Sequence, residues 1–313
     1  QEYDISLKLA EVFLHRSPSA SKGYRKRAEI YDRLGERAKA QADIQKANVL
    51  EEEKARSAFE RVQGEMGPDG QRNLGMISEF IRQYPDYAAA YERRALLYDV
   101  AGNRQNALQD ISRATELDPR PRHYLLKARW LYEDGHLEKS KENFEIALAG
   151  LEKTDEKLEV VRMLARIELG LGHYEKAYTF YGQSKALLGK FPEIRLEMAQ
   201  AAYGMKNYPL AQGDLSDLED IQSLPSRILG EALRYKGLIG QKTGELGASI
   251  EAWEKSLRCD LPKASLREVY KGLGNAYMSR KEIPRAISYL PKAVELSPTD
   301  AALPKQLSPR YRE

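Results

Sequence analysis

Residues 88–121 read AAAYERRALLYDVAGNRQNALQDISRATELDPRP. Tyr91, Ala95 and Tyr98 stand at i, i+4 and i+7, one face of a helix, and Gly102 ends it. Ala107, Ile111 and Ala114 then mark one face of a second helix, which Asp118-Pro119 stops. The stretch is a helical hairpin, and it recurs. Laid over YRKRAEIYDRLGERAKAQADIQKANVLE, which starts at Tyr24, the segment from Tyr91 matches Tyr24/Tyr91, Arg27/Arg94, Ala28/Ala95, Tyr31/Tyr98, Asp32/Asp99, Gly35/Gly102, Arg37/Arg104, Asp43/Asp110, Ile44/Ile111, Ala47/Ala114 and Leu50/Leu117. Tyr91 follows Tyr24 by 67 positions, two units of about 34 residues.

An early aromatic, a small residue on the same face, a second aromatic, Gly at the turn, small and aliphatic positions in the second helix and Pro at the exit make a pattern that resembles the tetratricopeptide repeat (TPR) family. The resemblance covers nearly the whole chain. It implies an all-α fold, a TPR-like α-solenoid in which antiparallel helix pairs form a right-handed superhelix. The signals divide the sequence into an N-terminal helix or half repeat (1–20), eight TPR-like repeats (21–53, 54–87, 88–120, 121–154, 158–191, 192–225, 230–263, 267–300) and a Pro-containing C-terminal tail (301–313).

A single helix of about 12 residues is marginal in water, so each hairpin must bury its apolar stripe on its neighbours. Small residues at Ala28, Ala95, Ala128, Ala165, Ala199, Gly237 and Gly274 allow close helix approach, while Tyr31, Tyr98, Phe144, Tyr181 and Trp253 fill the space between hairpins. Tyrosines at these positions are therefore expected in the core rather than on a base-stacking surface.

Several places depart from the pattern. Residues 36–63 contain neither Gly nor Pro, so local signals allow one long helix, and only the repeat register demands a turn near Glu51 to Lys54. The first helix of 54–87 lacks aromatic anchors, and GEMGPDGQ (64–71) reads as a loose turn or as a hinge or docking loop. Extra residues near 154–157, 226–229 and 264–266 are expected to lengthen helix ends. Pro284 at the start of a helix costs little, but Pro291 inside it should kink or weaken that helix by up to ~3 kcal/mol. The tail after Asp300 carries two prolines and cannot form a long polar cap, which leaves a terminal apolar face for self-association or a missing continuation to cover.

The 313 residues are 42% apolar and 31% charged with net charge +3, a balance too mild to imply nucleic acid, and no apolar run is long enough to span a bilayer. One cysteine, Cys259, permits no internal disulfide and does not choose a redox compartment. The chain begins Gln1-Glu2-Tyr3, without Met and without a charged-then-apolar leader. The expectation is a processed or partial sequence, inclining to an exported, periplasmic bacterial protein with a cytoplasmic one as the alternative.

No catalytic, cofactor or metal constellation emerges, and the reading is that the chain is not an enzyme. His15, His123, His136 and His173 fall at helix ends or turns without a second ligand at metal spacing and are expected to be solvated. GQSKALLGK (182–190) has six residues between its glycines where a phosphate-binding loop needs four.

What remains is a groove. In the TPR fold that the chain resembles, first helices line a concave surface that holds peptides. The matching positions are Arg25, Glu29, Glu92, Arg93, Leu96, Arg122, Leu126, Arg129, Tyr132, Arg162, Arg166, Leu169, Gln200, Tyr203, Arg234, Tyr235, Gln241, Lys271 and Asn275. The expected ligand site is Arg93, Arg122, Arg129, Tyr132, Arg162, Arg166, Gln200, Tyr203, Arg234, Lys271 and Asn275, and the expected partner is an acidic peptide or protein segment, because guanidinium binds carboxylate bidentately. The expected function is a non-enzymatic protein-interaction scaffold or adaptor. The alternatives are polyanion or nucleic-acid binding by the same arginines, and a structural role through self-assembly. The residues leave open that the arginines pair with Glu159, Glu168, Glu193 and Glu197 instead. Some TPR proteins clamp a C-terminal carboxylate with Lys and Asn; Lys271 and Asn275 match the first unit of that clamp, but no further unit follows to complete it.

Overall fold

The computed structural model describes residues 2–184, 192–219 and 224–296. The tail 301–313, the exit at Pro298 and most of the 182–190 motif lie outside them. Every regular element among the described residues is a helix. In chain order these are α1 (Glu2–Arg16), α2 (Ser21–Arg33), α3 (Arg37–Gly64), α4 (Gly70–Gln83), α5 (Ala88–Val100), α6 (Arg104–Leu117), α7 (Pro121–Glu133) and α8 (Leu137–Gly150), then α9 (Thr154–Gly170), α10 (Tyr174–Gln183), α11 (Pro192–Gly204), α12 (Tyr208–Glu219), α13 (Ser226–Thr243), α14 (Leu246–Ser256), α15 (Lys263–Ser279) and α16 (Ile283–Glu295). Two compact units divide the chain, Gln1–Trp130 and Leu131–Glu313. Sequential helices pack as pairs within each: α2 with α3 and α5 with α6 in the first, and α9 with α10, α11 with α12, α13 with α14 and α15 with α16 in the second. The chain is an all-α solenoid built from helix pairs.

One turn chemistry closes these pairs. At Gly35, Gly102, Gly135, Gly172, Lys206, Gly244 and Lys281 the backbone is left-handed, with φ between 60° and 88°. The following residue then donates its N–H to the carbonyl five positions back, as in Glu36 to Tyr31 (2.8 Å), Asn103 to Tyr98 (2.8 Å), Asn207 to Ala202 (2.9 Å) and Glu282 to Tyr277 (2.9 Å). This bond occupies a carbonyl that the helix end leaves open and turns the chain back on itself. Glycine suits it because a Cβ is disfavoured at positive φ.

In the first unit, Ala95, Ala107, Ile111, Ala114 and Trp130 form one buried cluster. Phe59, Phe80, Tyr84 and Tyr87 form an aromatic one, with Phe59 5.1 Å from Phe80 and Phe80 4.8 Å from Tyr84. The first helix of 54–87 is the second half of α3 and does carry an aromatic anchor, Phe59, which α4 and the residues after it meet with Phe80, Tyr84 and Tyr87. The expected turn at Glu51 to Lys54 is not formed: α3 runs unbroken for 28 residues. Leu50 to Arg56 contains no helix breaker, and both halves of α3 are anchored, Ala40 with Ala28 and Tyr31 of α2 and Ala55 and Phe59 with Ile77 and Phe80 of α4. Nor is the 64–71 segment unanchored. The Asp69 carboxylate accepts from the N–H groups of Gln71 and Arg72, and the buried Asn73 amide bonds both the N–H and the carbonyl of Gly67.

In the second unit α9, α13 and α15 are 17, 18 and 17 residues long, so the extra residues do extend these helices. Pro225 and Pro262 precede α13 and α15, and Pro192 opens α11. α16 continues through Pro291, with Leu290 and Ala293 buried on either side of it. Terminal apolar faces are left uncovered among the described residues: Ile5, Leu9 and Val12 of α1 are 61%, 66% and 54% exposed, and α16 exposes Ile283 and Ile287.

Burial also strains one carboxylate. Desolvation pushes Asp214 on α12 up to about 6, against the opposing Tyr178 hydrogen bond and Arg195 charge, and Tyr178 on α10 is pushed up to about 12. The folded state holds the Asp214 proton more tightly than the unfolded chain, so between the ordinary carboxylate pKa and about 6 this residue makes stability fall as pH rises. Asp214→Asn should therefore stabilise the protein at pH 7 by about 1 kcal/mol once solvent screening is allowed for. The gain should vanish below about pH 4, where both states of the wild type are protonated. Urea unfolding at pH 7 and pH 4 checks this; an equal gain at both pH values would remove the titration account.

Candidate functional site

The expected groove residues divide between the two units. Arg93, Arg122 and Arg129 belong to the first, all three exposed. Arg122 bonds Glu92 at 2.8 Å, and the other oxygen of that carboxylate meets His123 Nε2 at 3.1 Å. His123 Nδ1 lies 2.7 Å from the Asp118 carbonyl. The expectation of a solvated histidine fails here: His123 is 2% exposed, because the carboxylate and carbonyl replace both of its water contacts. The Glu92 hydrogen bond raises the His123 pKa against burial, and the same bond holds Glu92 low.

Tyr132, Arg162, Arg166, Gln200, Tyr203, Arg234, Lys271 and Asn275 belong to the second unit. On α9, Arg166 Nε binds Glu197 of α11 at 2.7 Å, and Arg162 lies 3.7 Å from Glu159. Burial lifts the Glu197 pKa while Arg166 pulls it down. Arg234 on α13 is 8% exposed and pairs with Glu231 at 2.7 Å and with Glu268 of α15, its guanidinium 4.1 Å from the Tyr235 ring centre. Burial opposes that charge, but Tyr235 and Glu231 hold the pKa above the ordinary arginine value. All three arginines serve in intramolecular ion pairs: Arg162 and Arg166 with Glu159 and Glu197, two of the glutamates that the sequence offered as alternative partners, and Arg234 with glutamates outside that set.

Two cavities of the second unit gather Gln200, Tyr203, Arg234 and Lys271, and Tyr132 lines neither. One, of about 370 Å³, is lined by Arg234, Ala264, Ser265, Arg267, Glu268 and Lys271. The other, of about 510 Å³, is lined by Leu169, Tyr174, Gln200, Tyr203, Gly204, Lys206, Tyr208, Tyr235 and Lys242. Tyr203 is its centre: its ring lies 5.7 Å from Tyr208 and 5.5 Å from Tyr235, the latter edge-on, and burial raises its pKa. No lining residue is acidic, and neither Lys206 nor Lys242 has an ion-pair partner among the described residues. The arrangement offers apolar and aromatic wall area beside two ammonium groups. Asn275 is half-buried on α15 and lines neither cavity.

Counting positions within the first helix of each hairpin finds Leu169, Gln200, Tyr203 and Tyr235 but misses Tyr174, Lys206, Tyr208 and Lys242, which enter from helix ends and turns. A signal for one was present: Lys206 stands where the hairpins at Gly35 and Gly102 carry glycine. Among the described residues no group of His, Cys, Asp and Glu is arranged to hold a metal, and no helix is long and apolar enough to cross a membrane.

No protein-family model and no curated protein matches the sequence. Solved structures do. The C-terminal part of a TPR repeat-containing protein from Cytophaga hutchinsonii aligns over 82% of this chain and 98% of its own, with TM-score 0.56 and 14% identity. A tetratricopeptide repeat protein from Parabacteroides merdae aligns over 82% and 96%, with TM-score 0.52 and 16% identity. A chain of the APC/C Cut9–Hcn1 hetero-tetramer aligns over 97% of this chain but only 52% of its own, with TM-score 0.52 and 15% identity. Their shared architecture and the helix pairs described above agree: this chain has the tetratricopeptide-repeat fold.

Proposed function

We propose that the chain is a non-enzymatic scaffold that binds an acidic protein segment along the first helices of the hairpins in its second unit. The observation that carries this is the Tyr203 cavity, which combines four tyrosines with two lysines and no acidic lining. Tyrosine supplies contact area at low entropic cost and the ammonium groups favour carboxylates. One of the similar structures is a protein assembly, the APC/C Cut9–Hcn1 complex, which supports a partner-binding role for this fold. Lys271 and Arg267 line the second cavity together with Glu268.

Selecting a displayed random-peptide library on the full chain, with a single-stranded oligonucleotide as competitor, tests the reading. Enrichment of peptides containing Asp or Glu that the oligonucleotide does not displace is the expected result. Absence of any acidic enrichment, or displacement by oligonucleotide that is itself lost at high salt, would transfer the surface to polyanion binding. A second reading, self-association, is favoured by the uncovered Ile5, Leu9 and Val12 stripe of α1. Light scattering over a concentration series tests it, and a constant monomer mass would remove it.

A further inference from the structure

We infer that the Tyr203 cavity is a specificity pocket that takes one aromatic or aliphatic side chain of the bound segment, while Lys206 and Lys242 take the carboxylate of an adjacent Asp or Glu. This rests on the scaffold reading above and gives it a ligand chemistry. Three observations carry it. The first is backbone strain at the pocket wall. Of the seven left-handed turn positions named above, five are glycine, and Lys206 holds the same conformation at φ 60° with a Cβ that disfavours it. Lys206 is one of the residues that line the cavity. Lys281, the other lysine at such a turn, is absent from that lining and serves as an internal control.

The second observation is preformed shape. A Cβ on Gly204 would fall 2.4 Å from the Tyr174 ring, so the tyrosine lies flat against the α11 backbone and is fixed there. Tyr203, Tyr208 and Tyr235 hold one another by ring contacts. At about 510 Å³ the space accepts a large side chain without rearrangement. The third is charge. Arg162, Arg166 and Arg234 on neighbouring first helices are each neutralised by a glutamate, whereas Lys206 and Lys242 are exposed and line the same cavity as the four tyrosines without a carboxylate partner among the described residues. Unneutralised cations at an apolar pocket select a side chain with an acid next to it.

The test uses peptides from the selection above, synthesised with amidated C termini so that only side-chain carboxylates are read, and measured by fluorescence anisotropy against the full-length chain. Expected are sequences pairing an aromatic or aliphatic residue with a neighbouring Asp or Glu. Lys206→Gly and Lys242→Gln should each weaken them about fivefold, and changing the peptide's acid to its amide should weaken wild-type binding similarly. Lys206→Gly and Lys281→Gly should both melt no lower than wild type, and Lys281→Gly should bind as wild type does. Undiminished binding by Lys206→Gly and Lys242→Gln would overturn the pocket assignment and leave the scaffold reading standing. Failure of the wild type to enrich any peptide would overturn both.

Discussion

Replacing Trp253 by alanine is expected to cost about 3–5 kcal/mol of unfolding free energy. Trp253 on α14 is fully buried and is the centre of a cluster with Ile250, Val269, Leu273, Ala276, Tyr277 and Ala286. Its neighbours have no atoms with which to fill the space. A Cβ on Gly237 of α13 would lie 2.2 Å from the indole nitrogen, and one on Gly272 of α15 would lie 2.8 Å from the six-membered ring. Both glycines therefore exist in contact with the indole, and its removal leaves a void between three helices rather than a site that can collapse. The indole N–H also donates to the Arg234 carbonyl at 3.2 Å, which ties the α14 anchor to the helix that carries Arg234 and Tyr235. Urea unfolding followed by circular dichroism measures the loss. A change below about 1 kcal/mol would show that the cluster repacks. Gly237→Ala is the converse experiment: its methyl has no room beside the indole and should cost about 1–3 kcal/mol by overpacking.

Asp110→Ala should cost about 2–3 kcal/mol, because it strands a mostly buried guanidinium. Arg94 Nε and Nη2 bond the two Asp110 oxygens at 2.7 and 2.8 Å, with the side chains 19% and 9% exposed. Arg94 also bonds Ser78 Oγ of α4 at 3.2 Å and lies over the rings of Tyr91 and Tyr98. The same fork recurs 67 positions earlier: Arg27 bonds Asp43 at 2.7 and 2.8 Å and lies over Tyr24 and Tyr31. Asp43→Ala should cost a similar amount, since the Arg27 and Asp43 side chains are 21% and 8% exposed. Thermal melts of both variants compare them. The double variant Arg94→Ala with Asp110→Ala should recover part of the loss, because it removes the unpaired charge. Additive losses would mean that the pair itself contributes nothing.

The Arg27/Asp43 and Arg94/Asp110 matches illustrate how far the sequence could be read. Their coincidence in the two hairpins was visible, and with Tyr24/Tyr91 and Gly35/Gly102 it established the repeat. Their bond was not, because two residues 16 positions apart on different helices have no local signature. Ile44 and Ile111 show the converse: identical in the alignment, yet Ile44 is 44% exposed and Ile111 fully buried. Residue type carries over between hairpins, while the neighbour that covers it does not. Half of the Tyr203 cavity was legible for the same reason. Gln200 and Tyr203 follow from the positions that line the groove in the fold the chain resembles, whereas Tyr174, Lys206, Tyr208 and Lys242 arrive from helix ends whose direction depends on the turn.

The sequence by itself determined the helical hairpin, its period, the glycine turns and the aromatic core positions such as Tyr181 and Trp253, because these depend on side-chain spacing along a 3.6-residue turn and on the backbone freedom of single residues. Only the tertiary structure decided that α3 runs through its expected break, that His123 is buried, that Arg162, Arg166 and Arg234 are neutralised by glutamates, and that Lys206 and Lys242 line one cavity with four tyrosines. Each of these depends on what another helix places opposite a residue, and that is a property of packing between segments distant in the chain.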